Sequence, residues 1–308
     1  MLERDAFPRG IPGEAAEAAA RMPLRRRLAL ADRPLVAVEL RPPRRDLDGA
    51  RAMDAWIDVY HAVRRFSRLD TVVFLTDSAI GTDEEENVAH LVKNLGPDAP
   101  RHRIVPFLTL KHPLDYCLRF AARVQAERFP ALVVLGGDVH DGVPRCLPRA
   151  WMLRERLRAE HPGLLLGGWA NPRRDAAEQV GYLLEHGDSL DFVLTQIVSH
   201  HDPGPVERFL AEAERRHLHV PLLFGVFFYR SARAATFDRL ARFIPVPRAE
   251  LERDFHERGL SAEQIAARTI RWLAGLGAHR VYVSNLQTRR AATRLPRIAA
   301  LGREDHDP

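Results

Sequence analysis

Eight short runs of aliphatic and β-branched residues, each followed by a segment of helical character, constrain this chain more than any other feature. The runs are VAVEL (36–40), TVVFLT (71–76), RIVPFLTL (103–110), ALVVLGGD (131–138), GLLLGGW (163–169), DFVLTQIV (191–198), VPLLFGVFF (220–228) and RVYVSNL (280–286). Near-continuous apolar runs of this length read as strands buried on both faces, the condition of a parallel sheet covered by its own crossover helices. Eight strand–helix units in about 250 residues predict a (β/α)8 barrel, the TIM-barrel architecture. A doubly wound sheet is the competing arrangement. Against it, no GxGxxG follows a strand, and the first strand–helix junction, Arg41 to Asp48, is rich in proline and arginine.

The segments between the runs support helices on their own terms. Thr82 to Glu86 offers an N-cap and first-turn acids before Val88 to Leu95, so those acids need no metal to explain them. Ser261-Ala262-Glu263-Gln264 has the spacing of a capping box and opens a helix that ends near Gly275 and Gly277. The alanine-rich stretch Glu14 to Met22 predicts a helical N-terminal arm over residues 1–33, ahead of a barrel over 34–303. The segment FIPVPRAELERDFHERG (243–259) is surplus to the repeat and predicts an insertion between strands 7 and 8.

Composition excludes several classes. No apolar stretch reaches the ~18 residues of a membrane span, and MLERDAFPRG lacks the apolar core of a signal peptide, so a cytoplasmic protein with no membrane partner is expected. The net charge of +5 is spread along the chain and interleaved with acids, which argues against nucleic acid as a partner. Arg25-Arg26-Arg27 is read as a solvated run. Cys117 and Cys146, the only cysteines, have no CxxC spacing and are expected to be free thiols. His200-His201-Asp202 carries no metal expectation: neighbours on an extended segment point to opposite sides, and no third ligand follows at suitable spacing.

In such barrels chemistry sits at the C-terminal ends of the strands. The polar residues there are Glu39, Thr76, Asp77, Asp138, Asn171, Thr195, Gln196 and Asn285. Glu39 stands out as a carboxylate within an apolar run, in the low-dielectric setting that raises a carboxyl pKa; Arg41, two positions on, would lower it if it shared the inward face.

With those residues in place, the chain from about Leu35 to Leu286 resembles the methylenetetrahydrofolate reductase family. VELRPPR resembles the family's FEFFPP, which places Glu39 on its catalytic acid. FLTDSAIG (74–81) resembles VTYGAGG and matches Thr76 to a cofactor-proximal threonine. LGGD resembles LRGD and carries the substrate-binding aspartate onto Asp138, and DFVLTQIV resembles ADFIITQFFF, carrying the pterin-binding glutamine onto Gln196. FGVFFYRS (224–231) resembles PGIMPI, and RVYVSNL resembles HFYTLNR. The family's PHLTC histidine is absent from Pro106-Phe107-Leu108-Thr109-Leu110, the arginine of LRGD is Gly136, and the tyrosine and histidine of YPEVHP appear as Asn171 and Asp175.

The retained folate contacts beside the missing flavin contacts imply a flavin-independent member. It would pass hydride from NADH or NADPH to 5,10-methylenetetrahydrofolate without FAD, a step of one-carbon metabolism serving methionine biosynthesis. Related barrel reductases of other tetrahydropterins, one group using a deazaflavin, and a non-catalytic folate-binding paralogue are the alternatives that the resemblance leaves open. In the implied reaction the imidazolidine ring opens, Glu39 protonates the leaving nitrogen, and the pterin-side iminium accepts hydride. Asp138 and Gln196 would fix the pterin, and Asp138 would also stabilise the iminium. Two glycines before Asp138 would let backbone approach a flat ring. Phe228 would stack on the substrate, and Thr76, Asn171 and Tyr282 would contact the cofactor. No resident metal is expected, and a homo-oligomer is compatible with the sequence.

Overall fold

A computed structural model describes residues 23–30, 34–41, 43, 47–69, 71–76, 100–137, 142–241 and 244–303, the side chain of Arg239 excepted. The arm from Glu14 to Met22, the capped helix expected around Val88 to Leu95, Asp77 and Asp138 lie outside the described residues. The eight strands are β1 (Leu35–Leu40), β2 (Val73–Leu75), β3 (Ile104–Thr109), β4 (Ala131–Leu135), β5 (Leu165–Ala170), β6 (Phe192–Val198), β7 (Leu222–Phe227) and β8 (Arg280–Ser284). All are parallel and hydrogen-bonded in sequence order. Strand β8 pairs back onto β1, with Leu35 opposite Arg280 and Val38 opposite Val283, to close the (β/α)8 barrel.

The described helices are α1 (Leu24–Ala29), α2 (Gly49–Arg68), α3 (Leu114–Ala126), α4 (Ala150–Glu160), α5 (Ala176–Glu185), α6 (Gly204–Arg215), α7 (Ala234–Leu240), α8 (Arg248–Glu252), α9 (Ala262–Gly275) and α10 (Thr288–Leu301). None is long and apolar enough to cross a membrane. The capping box of α9 forms as expected, with the Ser261 hydroxyl accepting from the Gln264 N–H and the Gln264 amide accepting from the Ser261 N–H.

Strand alternation divides the core into two layers. Val38, Leu40, Val73, Leu132 and Val283 face outward to the helices, while Leu35, Ala37, Phe74, Phe107, Phe192, Leu194 and Tyr282 fill the barrel interior. Phe74 is central, with ring centroids 6.0 Å from Phe107, 6.3 Å from Phe192 and 6.1 Å from Tyr282. Helix α1 closes the floor: Leu24 and Leu28 join the interior layer, and Arg25 lies 3.2 Å from Asp191 just before β6. Arg25 remains largely exposed, as a solvated run would be, while reaching Asp191 with its guanidinium. At the other end the segment expected as an insertion carries α8 and a π-helical turn (Arg253–Glu257), and its Leu251, together with Phe237 of the preceding α7, extends the interior layer over Phe227 and Tyr229.

One irregularity re-aims residues at the rim. Leu194 pairs with Leu223 but Ile197 pairs with Gly225, so Thr195 and Gln196 together stand opposite the single residue Phe224 in a β-bulge. Tyr282 secures the bulge by donating its hydroxyl to the Thr195 carbonyl at 2.6 Å. Gly225 makes that possible, since a Cβ there would lie 2.5 Å from the Tyr282 hydroxyl oxygen.

Candidate active site

Glu39 occupies the last inward position of β1, two residues beyond Ala37, with its side chain 11% exposed at the C-terminal rim. Burial raises its pKa above the ordinary 4.5; the Arg41 charge and a hydrogen bond from the Ser284 side chain oppose that shift without cancelling it. Arg41 is 73% exposed and its Nε stands 3.8 Å from Glu39 Oε1, so water screens most of its field. Desolvation wins, and the carboxyl is biased toward its protonated form. Tyr282 lies beneath it in the interior, where burial and the Glu39 charge together hold the phenol well above its usual pKa.

Ser284 is a site residue that a survey of strand ends misses. Period-two alternation marks it: it follows the inward Tyr282 by two positions. Thr76 abuts the same place, its N–H and hydroxyl both donating to the Leu40 carbonyl, at 3.0 and 3.3 Å. It thus fastens the end of β1 beside Glu39.

The other sequence-derived positions distribute around the rim. Gln196 sits in the bulge with its amide oxygen accepting from the Ile197 N–H at 2.9 Å, which leaves the amide NH2 as the end able to serve a ligand. Asn171, directly after β5, accepts from the Arg173 N–H through Oδ1, and its own N–H donates to Gln179 of α5. Asp175 caps α5 by accepting from the Glu178 N–H. Asn285 adopts a left-handed φ of 68° and donates from Nδ2 to the Phe228 carbonyl, tying the ends of β7 and β8.

Two of the residues expected to contact ligands are packed in the core. Phe228 is 1% exposed and belongs to the outer layer, with the Arg294 guanidinium 5.1 Å over its ring; alternation places Phe227 and Tyr229 inward and Phe228 outward. Tyr282 is 1% exposed and its hydroxyl is committed to the Thr195 carbonyl, so it supports the bulge.

The glycines before Asp138 make room for two side chains of the protein itself. A Cβ on Gly137, whose φ is 75°, would lie 2.6 Å from Lys111 Cε, and one on Gly136 would lie 3.1 Å from the Arg145 guanidinium. Arg145 also donates to the Gly137 carbonyl at 2.7 Å. The end of β4 therefore admits two cationic side chains, one of them the buried Lys111.

Outside the barrel, a cavity of about 590 Å³ runs between α2 and the start of α10, lined by Arg41, Asp58, Arg289 and Arg290 among others. Arg289 is paired with Asp58 at 2.7 Å.

No protein-family model and no curated protein matches the chain. Among solved structures, it is similar to an uncharacterised protein from Clostridium thermocellum that binds two copies of 5-methyl-5,6,7,8-tetrahydrofolic acid. That likeness has a TM-score of 0.64 at 16% identity and covers 91% of this chain and 98% of that one. The carboxyl transferase domain of Rhizobium etli pyruvate carboxylase follows at a TM-score of 0.52 and 11% identity, covering 90% of this chain and 48% of that one. These similarities define a barrel fold; the residues at the rim define the chemistry open to it.

Proposed function

We propose that this chain is a folate-dependent oxidoreductase that reduces 5,10-methylenetetrahydrofolate to 5-methyltetrahydrofolate with hydride from NADH or NADPH and without FAD. The observation that carries the reading is Glu39, an acid at the rim whose burial favours the protonated form. Opening the imidazolidine ring expels a nitrogen that needs a proton, and a carboxyl of raised pKa can deliver one near neutral pH. The Clostridium thermocellum protein binds the compound that would be this reaction's product. The Gln196 amide would hydrogen-bond the pterin and Asp138 would meet its amino-pyrimidine edge. The glutamate end of the folate would leave the rim past Arg41 toward Arg290, where its carboxylates find positive charge.

The test is an anaerobic assay of methylenetetrahydrofolate-dependent NADH and NADPH oxidation, on protein whose absorbance spectrum is recorded for flavin. Glu39→Gln is expected to lower turnover by about 10²–10⁴-fold while leaving 5-methyltetrahydrofolate binding in place. Full activity in that variant refutes the assigned acid, and stoichiometric flavin in the spectrum refutes the flavin-free route. Turnover only with a deazaflavin donor would reassign the donor, and folate binding without any turnover would make the chain a binding protein.

A further inference from the structure

The loop after β6 and the insertion after β7 meet in a polar cluster that the reaction above does not use. Sequence spacing alone gives His200 and His201 no third partner, and it would place neighbouring side chains on opposite sides. The chain turns here instead, with the Asp202 N–H donating to the Ser199 carbonyl at 3.1 Å, and the two imidazoles end 3.9 Å apart between ring centroids. Across from them stands Asp254, in the π-helical turn and 0% exposed. Its Oδ2 is 2.9 Å from His201 Nε2 and 4.0 Å from His200 Nε2, and one ligand atom from each of the three residues lies within 4.8 Å of the others.

The opposite atom of each residue is already held. His200 Nδ1 is 2.8 Å from the Thr269 hydroxyl of α9, His201 Nδ1 is 2.9 Å from the Ser199 hydroxyl, and Asp254 Oδ1 accepts from Arg258 at 2.8 Å. Metal-binding imidazoles and carboxylates are oriented in this way, by an outer partner on the atom that does not ligate. We propose that His200 Nε2, His201 Nε2 and Asp254 Oδ2 bind a divalent transition-metal ion of the zinc class, which ties the β6 loop to the insertion.

Two imidazoles and one carboxylate select zinc-class ions over magnesium or calcium, which prefer all-oxygen sets. Arg258 and Arg268, the latter 3.6 Å from Asp254, both lie on Oδ1 and leave Oδ2 to the ion. Their charge opposes a cation, which makes this a weaker site than a thiolate one.

The experiment uses the untagged full chain, stripped with a chelator and then titrated with Zn²⁺ and Co²⁺ in equilibrium dialysis, with thermal melts in parallel. Expected are one saturably bound ion per chain, visible Co²⁺ absorption bands and a rise in Tm on adding Zn²⁺. His200→Gln is expected to abolish the Zn²⁺-dependent rise in Tm, and Thr269→Val, which removes only the outer partner, to weaken binding about 10–100-fold. The remote variant His61→Ala keeps wild-type affinity. Absence of saturable Zn²⁺ binding, or wild-type affinity in both His200→Gln and Thr269→Val, overturns the proposal and leaves the cluster as a hydrogen-bonded latch. Loss of binding in the remote variant overturns it equally.

Discussion

Gly225→Ala offers a direct test of the bulge that positions Gln196. The added methyl would come 2.5 Å from the Tyr282 hydroxyl oxygen, 2.7 Å from its Cζ and 3.1 Å from Ile197 Cδ1, all inside van der Waals contact. Tyr282 is packed against Phe74 and cannot simply move aside. Overpacking a core of this kind costs about 1–3 kcal/mol. Displacing the phenol would in addition break the 2.6 Å bond to the Thr195 carbonyl and leave buried polar groups unpaired, a further loss of about 1–3 kcal/mol. A fall in stability of about 2–6 kcal/mol is therefore expected, read as a lower urea midpoint at unchanged m-value. Because the nearest atom is the hydroxyl itself, Tyr282→Phe removes the worst contact. The double variant should be more stable than the two single losses predict, by about 1–2 kcal/mol of coupling. Strict additivity, or a Gly225→Ala cost under about 0.5 kcal/mol, would show that the hydroxyl does not occupy this position.

Glu39→Gln should raise stability at neutral pH. A carboxyl whose folded pKa lies above its unfolded value makes the native state bind more protons, so stability falls as pH rises from the ordinary 4.5 through the folded value. The advantage of the variant's uncharged amide should shrink below pH 4.5 in paired denaturation curves; an advantage that grows toward acid would reverse the assigned shift. Phe74→Ala should cost about 3–5 kcal/mol, measured by denaturant melts, since three aromatic neighbours surround the cavity it leaves. At the floor, Asp191→Ala should cost about 3–5 kcal/mol, because Asp191 receives Arg158, Arg25 and the Leu166 N–H, whereas truncating the exposed Arg25 should cost under about 1 kcal/mol. Arg290→Glu should raise KM for a folate bearing its glutamate end and leave kcat nearly unchanged in steady-state assays.

The barrel is legible in the sequence because each strand is a run buried on both sides, and the interrupting helices carry ordinary capping chemistry such as Ser261 to Gln264. Glu39 is legible for the same reason, as a charge where the pattern demands an apolar residue. Phe228 misleads, although alternation from Leu223 already assigns it outward; an aromatic ring at a strand end suggests stacking more loudly than parity suggests packing. The bulge leaves no comparable trace, because Thr195 and Gln196 look like two more strand residues until β7 is placed beside them. His201 and Asp254 are 53 positions apart, and only the closure of the insertion over the rim brings them together. The partners of the β4 glycines are hidden likewise, since Lys111 and Arg145 arrive from two other segments.

The rim separates into polar groups that hold strand ends and a group left to titrate. Thr76 serves the Leu40 carbonyl, Asn285 the Phe228 carbonyl, Asn171 its own turn, and the Thr195 hydroxyl accepts from the Gly225 N–H. Each is engaged within the backbone scaffold, which fixes the mouth of the barrel and limits its reorganisation on binding. Glu39 differs in kind. Its fixed donor is the buried Ser284, its cationic neighbour is mostly in water, and the phenol below it already donates to Thr195. A carboxyl with more internal donors would be pinned as a carboxylate, and one with none would be free to turn away from substrate. Among the described residues, one buried donor and one screened charge hold the group in place while leaving desolvation to decide its proton, the condition the proposed general acid requires.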